Sequence, residues 1–246
     1  MTYTVLTYVM GNYERLHEVV KKSPHARYLC ITDREDLSSN TWEVIYVKDL
    51  PGSPLNKTRF VKWHPWSFTS DEVVIIIDGS VGVNGPLDDI VEALEGYELG
   101  MMIHPERNTV KSEIEAWMQW RGLKPDAAER QLSIMEMSGY SLNAYRGLYQ
   151  CCVRILRRTP AVQLWLETVT GLLLLCGKGG EFATPEQVIA SFALNKYFSQ
   201  IPVMWVSERL VNSKYLSWYF HDSDIRFVHR ELIPPYAFNK PVKVWI

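Results

Sequence analysis

The sequence predicts an α/β fold, in which helices flank a doubly wound, Rossmann-like and mostly parallel sheet. Five consecutive β-branched residues, Val73–Ile77, are typical of a central parallel strand that is buried on both faces. Four strand-plus-helix units follow one another in about the first 100 residues, as in doubly wound sheets. The chain has 246 residues, 47% of them apolar, which suffices for one large core. We therefore expect a single domain over residues 1–203, with an aromatic-rich C-terminal extension over residues 204–246 that packs on it.

The first half of the chain alternates short β-rich runs with helical patterns. Strands are predicted over residues 3–9, 28–32, 42–47 and 73–77. Helices are predicted around residues 16–20, ending near Ser23-Pro24, and over residues 57–66 and 87–94. Residues 51–54 contain two prolines and a glycine and are predicted to form a loop.

The second half is predicted to add helices and two further strands. Strands are expected over residues 100–104 and 148–156, and helices over residues 110–120, 125–137 and 161–175. Thr184-Pro185-Glu186-Gln187 has the pattern of a helix start, with threonine as the N-cap and glutamine in the capping-box position. This helix is expected to end near Phe198.

Charge and composition exclude few functions. The formal net charge is −2, and no run of five like charges suggests an electrostatic nucleic-acid binder, although a local basic groove stays possible. The four cysteines lack CxxC spacing, the N-terminus lacks a secretory pattern, and the longest apolar stretch is short for a membrane span. The expectation is a soluble cytoplasmic protein without a membrane span.

Polar residues follow several predicted strands. They are Thr7 and Tyr8 with Gly11, then Asp33, Asp78 with Ser80, and His104. Because the carboxyl ends of parallel strands meet at one edge of a sheet, these residues are expected to line one cleft. Asp78 is the strongest candidate, since a carboxylate there suits a metal ion or a sugar hydroxyl. A simple Asp-Gly turn explains the same residues without a function.

The remaining candidates carry charge or a titratable ring. Arg59 and Lys62 share one face of a predicted helix and suit a diphosphate. His104 suits contact with a sugar or a phosphate. The tail residues His221 and His229 are candidates to complete a metal site at Asp78. Glu113 and Glu115 begin a helix, where carboxylates favour the helix dipole without any function.

Familiar catalytic motifs are missing. The chain has no GxGxxG dinucleotide fingerprint, no GxxxxGK[ST] phosphate loop and no GxSxG nucleophile elbow. These absences disfavour oxidoreductases, P-loop proteins and serine hydrolases.

The collinear series of motifs resembles one family. It comprises Ile31-Thr32-Asp33, residues 42–47, Arg59 and Lys62 before His64, Ile76 to Ser80, His104-Pro105 with Arg107, residues 113–116, Gly147-Leu148-Tyr149 with Arg154, Trp165, and Glu186-Gln187. In these positions, from about Cys30 to Tyr197, the chain resembles the glycosyltransferase-like family formerly called domain of unknown function 616.

The resemblance implies a GT-A fold and transfer of a sugar from a nucleotide-sugar donor, UDP-linked in the first instance. Asp78-Gly79-Ser80 stands in place of the metal-binding DxD motif, so Asp78 and Ser80, with His229, would hold Mn²⁺ or Mg²⁺. Thr7, Tyr8, Gly11 and Asp33 would hold the nucleoside, and Arg59 and Lys62 the diphosphate. His104, Arg107, Glu186 and Gln187 would act on the donor sugar or acceptor. The chain departs from the family at Ser80, a weak ligand, and at Glu186, where the family has aspartate.

Two other functions stay open. The chain is alternatively a non-catalytic module that binds a nucleotide-sugar. It is alternatively a glycosyltransferase that acts on a modified base in DNA, in which the tail aromatics stack on a flipped base and Arg146, Arg154, Arg157 and Arg158 guide phosphates. A glycan or a small molecule is the other kind of acceptor that we consider.

Overall fold

The computed structural model describes residues 1–12, 14–143, 147–183 and 185–218. Its strands are β1 Tyr3–Val9, β2 Ala26–Thr32, β3 Glu43–Tyr46, β4 Val73–Ile77, β5 Val81–Val83, β6 Leu99–Ile103, β7 Tyr149–Arg157, β8 Val203–Val206 and β9 Leu216–Trp218. Its α-helices are α1 Pro54–Trp63, α2 Asp88–Ala93, α3 Val110–Trp120, α4 Pro125–Met137, α5 Pro160–Cys176 and α6 Glu186–Tyr197. Two short 3-10 helices span Pro65–Ser67 and Glu208–Val211.

Seven of the described strands form one mixed sheet in the order β3-β2-β1-β4-β7-β6-β8. All neighbours pair in parallel except at β7, which runs antiparallel to β4 and to β6. The protein is therefore an α/β protein with a mostly parallel mixed sheet, an architecture compatible with a Rossmann-like fold. A separate two-stranded sheet joins β5 to β9.

Two apolar layers cover the sheet. Alternate strand residues point to opposite faces, so each strand contributes to both layers. One layer packs under α1, α3, α4, α5 and α6, and contains Trp63, Trp165 and Phe192. The other layer lies under α2 and the small sheet. All five residues of β4 are buried, as the β-branched run predicts for a central strand.

The predicted helix around residues 16–20 is wrong. The described residues of this segment have no regular structure, and they connect β1 to β2 as an irregular crossover. Contacts across the chain stabilise it instead: Glu18 accepts hydrogen bonds from Ser39, Asn40 and Thr41, and Val19 N–H donates to Thr41 Oγ1 at 2.9 Å. Val19 is the only buried apolar residue that the structure describes in this segment. The segment therefore does not bury an apolar face as an amphipathic helix would.

Helix α1 begins earlier than predicted. Ser53 is its N-cap, with its hydroxyl accepting from Asn56 N–H, and Pro54 is in the first turn. The residues predicted to form a loop therefore carry a normal helix start. Arg59 and Lys62 lie in the middle and last turns of this helix.

Strand β8 spans the predicted domain boundary, so residues 204–206 belong to the central sheet. Strand β9 continues the described part of the extension as a partner of β5. The predicted packing of the aromatic residues beyond Trp218 lies outside the described residues.

Among the residues that the structure describes, no helix has both the length and the apolar character that crossing a membrane requires.

Candidate functional site

The candidate site lies where the strand order reverses. From β1, the chain adds β2 and β3 on one side and then, through α1, β4 on the other. Ligands of open α/β sheets bind outside the carboxyl ends of the strands at such a switch point. Tyr8 near the end of β1 and Asp78 directly after β4 meet there.

Asp78 is held by two donors on one oxygen. Tyr8 O–H donates to Asp78 Oδ1 at 2.5 Å, and Lys62 Nζ lies 2.8 Å from the same oxygen. The Asp78 side chain is still 25% exposed, whereas that of Lys62 is 5% exposed. The carboxylate therefore faces both the protein and the solvent.

Gly79 is required by space. A Cβ at this position would lie 2.1 Å from Glu14 Oε2 and 2.7 Å from the Tyr8 carbonyl oxygen. Any side chain would therefore displace the backbone of β1 or the Glu14 carboxylate. The sequence suggests that the glycine is needed for a sharp turn. The structure shows instead that glycine is needed because the Tyr8 backbone and the Glu14 carboxylate lie too close to position 79 for a Cβ atom.

Glu186 joins the same group of charges from α6. Its carboxylate contacts Lys62 Nζ and lies 3.2 Å from Arg59 Nε. Arg59 also donates from Nη1 to the Phe182 carbonyl at 2.8 Å. Three separate elements, β4, α1 and α6, thus bring Asp78, Arg59, Lys62 and Glu186 together with Tyr8. We call these five residues the switch-point cluster.

The charges of the cluster keep one another ionised. Burial alone would raise the pKa of Glu186, but Lys62 and Arg59 outweigh burial and lower the pKa to about 2. Burial lowers the pKa of Lys62, yet Asp78 and Glu186 hold the pKa above its usual value. Burial, Asp78 and Glu186 together raise the pKa of Tyr8, so its hydroxyl stays a donor. Glu186 is therefore a weak base while its ion pairs persist.

Asp33 forms a second acidic position beside the cluster. Its Oδ1 accepts from Gly11 N–H at 2.7 Å, and its Oδ2 lies 2.8 Å from Lys57 Nζ. Gly11 has a φ of 59°, a left-handed conformation that suits glycine. The first loop is thereby fixed to the end of β2. A carboxylate has about four acceptor sites, so Asp33 retains capacity for a ligand hydroxyl.

His104 and Arg107 belong to a separate buried group, which we call the His104 cluster, with Glu113, Trp117 and Gln187. His104 Nδ1 accepts from the backbone N–H groups of Glu106 and Arg107, and its Nε2 lies 2.8 Å from Arg107 Nη2. Arg107 Nε donates to the Glu113 carboxylate, which also accepts a hydrogen bond from Trp117 Nε1 at 2.8 Å. His104 is 1% exposed and Glu113 is fully buried. The contacts therefore orient His104 and Arg107 toward Glu113.

The capping-box interpretation of Gln187 is wrong. Its amide Nε2 donates to Glu113 Oε1 on α3. The N-cap of α6 is Pro185, without a side-chain capping bond, and the predicted cap Thr184 lies outside the described residues. A glutamine aimed at a buried carboxylate has a stronger partner than its own helix end.

Several predicted residues do not join either cluster. Thr7 is fully buried on the face of β1 opposite to Tyr8, because neighbours on a strand point in opposite directions. Ser80 is partly exposed in the turn after Asp78. His221 and His229 lie outside the described residues.

The predicted path of arginines for DNA is only partly present. Arg154 is fully buried, lies over the Trp63 ring at 4.1 Å and donates to the Lys62 carbonyl, so it does not face phosphates. Arg157 pairs with Glu72 at 2.7 Å. Arg146 lies outside the described residues.

Two contributors were not among the predicted residues: Glu14 lies in the irregular crossover and reaches Gly79, and Lys57 pairs with Asp33. Glu113, which the helix dipole alone explained in the sequence, organises the His104 cluster. The sequence did offer one signal of a buried charged group. Arg154 lies within an apolar strand, where a charged side chain needs a special environment.

The described residues fit the predicted metal poorly. Mn²⁺ and Mg²⁺ require several oxygen or nitrogen ligands around one point. Asp78 and Ser80 supply two of the three predicted ligands, and the Lys62 ammonium already contacts Asp78. Within residues 1–12, 14–143, 147–183 and 185–218, no group of three His, Cys, Asp or Glu side chains is placed to hold a metal.

Neither protein-family models nor curated protein sequences give a match to this chain. The class of protein is therefore defined by fold and site: an α/β protein with a charged cluster at the switch point of a mostly parallel sheet.

Proposed function

We propose that the protein is a glycosyltransferase of GT-A type that transfers a sugar from a nucleotide-sugar, in the first instance a UDP-sugar, to an acceptor hydroxyl. The observation that carries the proposal is the switch-point cluster. Asp78, Lys62 and Glu186 combine a partly exposed carboxylate with buried cations at the edge where α/β sheets bind their ligands. This combination suits a ligand that has both hydroxyl groups and phosphates.

The donor would extend from Asp33 to the switch-point cluster. Asp33 follows Gly11 by 22 residues, at the end of the strand next to β1. A carboxylate in this position binds ribose hydroxyls in nucleotide-binding sheets. Arg59 and Lys62 would then face the diphosphate, with Asp78 beside the sugar.

Glu186 would act through its charge. With the pKa lowered to about 2, this carboxylate holds no proton at neutral pH and takes one up poorly. A fixed negative charge stabilises the positive charge that develops on the sugar in the transition state. His104, Arg107 and Gln187 would support this arrangement from the neighbouring cluster, where each already has a protein partner.

The direct test measures release of free nucleoside diphosphate from a panel of UDP- and GDP-sugars, with Mn²⁺ or with EDTA. Wild type is compared with Asp78→Ala. We expect release by the wild type and a loss of about 10²-fold or more in the variant, because the variant removes a carboxylate at the reacting edge. Failure of every donor to bind or react would contradict the proposal.

The same assay separates the alternatives. Donor binding without turnover, with any acceptor class offered, would favour a non-catalytic binding module. Release that depends on added DNA, with binding that weakens steeply as salt rises, would favour a modified base as the acceptor. Stimulation by a glycan or a small alcohol would favour those acceptors instead.

A further inference from the structure

Lys62 occupies a position beside Asp78 that a metal ion bound to Asp78 Oδ1 would need. Its Nζ is 2.8 Å from Asp78 Oδ1 and also contacts the Glu186 carboxylate. The same Asp78 oxygen accepts the Tyr8 hydroxyl at 2.5 Å. A divalent cation with a ligand bond of about 2.1 Å to this oxygen would have to displace the ammonium, since like charges at short range repel strongly.

The surroundings favour a cationic side chain in this place. Lys62 is 5% exposed and is fixed between two carboxylates, one on β4 and one on α6. An ammonium has three N–H donors, and the two carboxylates use two of them. The geometry thus fixes a positive charge directly behind the partly exposed Asp78 carboxylate.

Two arginines add to this charge. Arg59 lies 3.2 Å from Glu186. Arg154 is fully buried behind Lys62, and its Nε and Nη1 have no hydrogen-bond acceptor among the described residues. The three cations Lys62, Arg59 and Arg154 thus balance the carboxylates of Asp78, Glu186 and the nearby Glu14. Lys62 and Arg59 are thereby held in place as charged donors, which suit an anion such as a diphosphate.

We infer that Lys62, supported by Arg59, supplies the positive charge for the leaving diphosphate, so that the site binds nucleoside diphosphates without a divalent metal. The inference rests on the proposed function. In the reaction, the bond between the sugar C1 and the diphosphate oxygen breaks, and its electron pair goes to the diphosphate. The acceptor oxygen bonds to C1, and the proton of the acceptor hydroxyl passes to the diphosphate. Lys62 stabilises the charge that grows on the departing oxygen.

The test is calorimetric binding of UDP and of GDP to the wild-type protein, once with EDTA and once with Mn²⁺. We expect one of the two nucleotides to bind with Kd values that agree within about twofold in the two conditions, because Lys62 already neutralises the diphosphate. Electron paramagnetic resonance of Mn²⁺ with the wild-type protein, in the absence of nucleotide because nucleoside diphosphates themselves bind Mn²⁺, should show only the free ion. This arm needs no variant.

The variant arm uses Lys62→Met. We expect nucleotide binding to weaken by about 10- to 100-fold in EDTA, as for loss of a hydrogen bond to a charged group. Lys111→Met is the matched control, since this lysine lies on the surface of α3 with a side chain that is 49% exposed. It should bind nucleotide as the wild type does. Lys62→Arg, which keeps the charge, covers the case in which Lys62→Met does not fold.

The outcomes separate the two proposals. Binding that disappears in EDTA and returns with Mn²⁺ would overturn the role of Lys62 and leave the glycosyltransferase proposal intact. No binding of either nucleotide in any condition would overturn both. Nucleotide binding by Lys62→Met that equals the wild type in EDTA would also overturn the inference.

Discussion

The switch-point cluster and the His104 cluster lie at the same edge of the sheet and both join an arginine to a glutamate, yet their carboxylates differ in access to solvent. In the switch-point cluster, the side chains of Asp78 and Glu186 are 25% and 16% exposed. In the His104 cluster, His104 is 1% exposed and Glu113 is fully buried. Each cluster pairs a carboxylate with a cation, so residue type alone does not distinguish them. The greater exposure of Asp78 and Glu186 is the reason for placing the proposed donor at the switch-point cluster.

The two clusters meet at the start of α6. Glu186 extends to Lys62 and Arg59, and the next residue, Gln187, extends to Glu113. Two neighbouring residues of one helical turn thus belong to different clusters. The first turn of α6 thus connects the two clusters through adjacent residues.

The largest expected effect is loss of stability in Glu113→Ala. This substitution leaves Glu106, at 3.2 Å, as the remaining carboxylate partner of Arg107, and it removes the fully buried acceptor of Trp117 and Gln187. Breaking such a buried pair costs about 3–5 kcal/mol in the free energy of unfolding. Urea denaturation followed by circular dichroism measures this change.

Glu115→Ala is the matched control, because Glu115 lies on the same helix with a side chain that is 62% exposed. The free energy of unfolding of Glu115→Ala should stay within about 0.5 kcal/mol of the wild-type value. Equal stability of the two variants would contradict a structural role for the His104 cluster and would restore His104 and Arg107 as candidates for direct catalysis.

A smaller effect is expected on turnover in Glu186→Gln. The amide keeps the shape of the side chain and removes the charge that contacts Lys62 and that the proposed mechanism directs at the donor sugar. We expect turnover to fall by about 10²-fold with a modest change in donor Kd, as for a group that acts in the transition state. Steady-state release of nucleoside diphosphate and calorimetric donor binding give the two quantities.

Glu181→Gln provides the comparison for Glu186→Gln, since Glu181 is an exposed carboxylate that lies five residues earlier and bonds Ser53. Its turnover should match the wild type. Unchanged turnover in Glu186→Gln would remove this residue from the mechanism and would narrow the difference between the two clusters.

Local patterns predicted the regular elements well. The sequence analysis and the structure agree on β1, β4, α3 and α4, where hydrophobic period, β-branched runs and proline signals act within one segment. The helix prediction for the crossover at residues 14–22 failed because the hydrogen-bond partners of Glu18 and Val19 lie more than twenty residues away in the sequence. The pairing of β5 with β9 was missed for the same reason.

The sequence predicted where the candidate residues lie in the fold, but it predicted few of the contacts that they make with one another. Asp33, Asp78 and His104 follow strands, and the structure places them at one edge as expected. The contact between Arg59 and Glu186 joins residues 127 positions apart, and no local pattern encodes it. The assignment of Gln187 failed because a capping box and a long-range hydrogen bond use the same side chain.

The smallest expected effect is a dependence of stability on pH, which Glu186 of the switch-point cluster causes. Glu186 is ionised in the folded protein down to a pKa of about 2, whereas the ordinary value is 4.5. As pH falls, the unfolded chain takes up the proton first, so the stability that Glu186 contributes is complete above pH 4.5 and is lost between pH 4.5 and 2. The difference in unfolding free energy between wild type and Glu186→Gln should therefore be greatest at neutral pH and should shrink through this range, since protonated Glu186 resembles glutamine. Denaturation curves of both proteins at constant ionic strength measure the difference. Parallel curves from pH 7 to pH 2 would mean that Lys62 and Arg59 do not hold Glu186 ionised, and the charge assigned to it in the switch-point cluster would be incorrect.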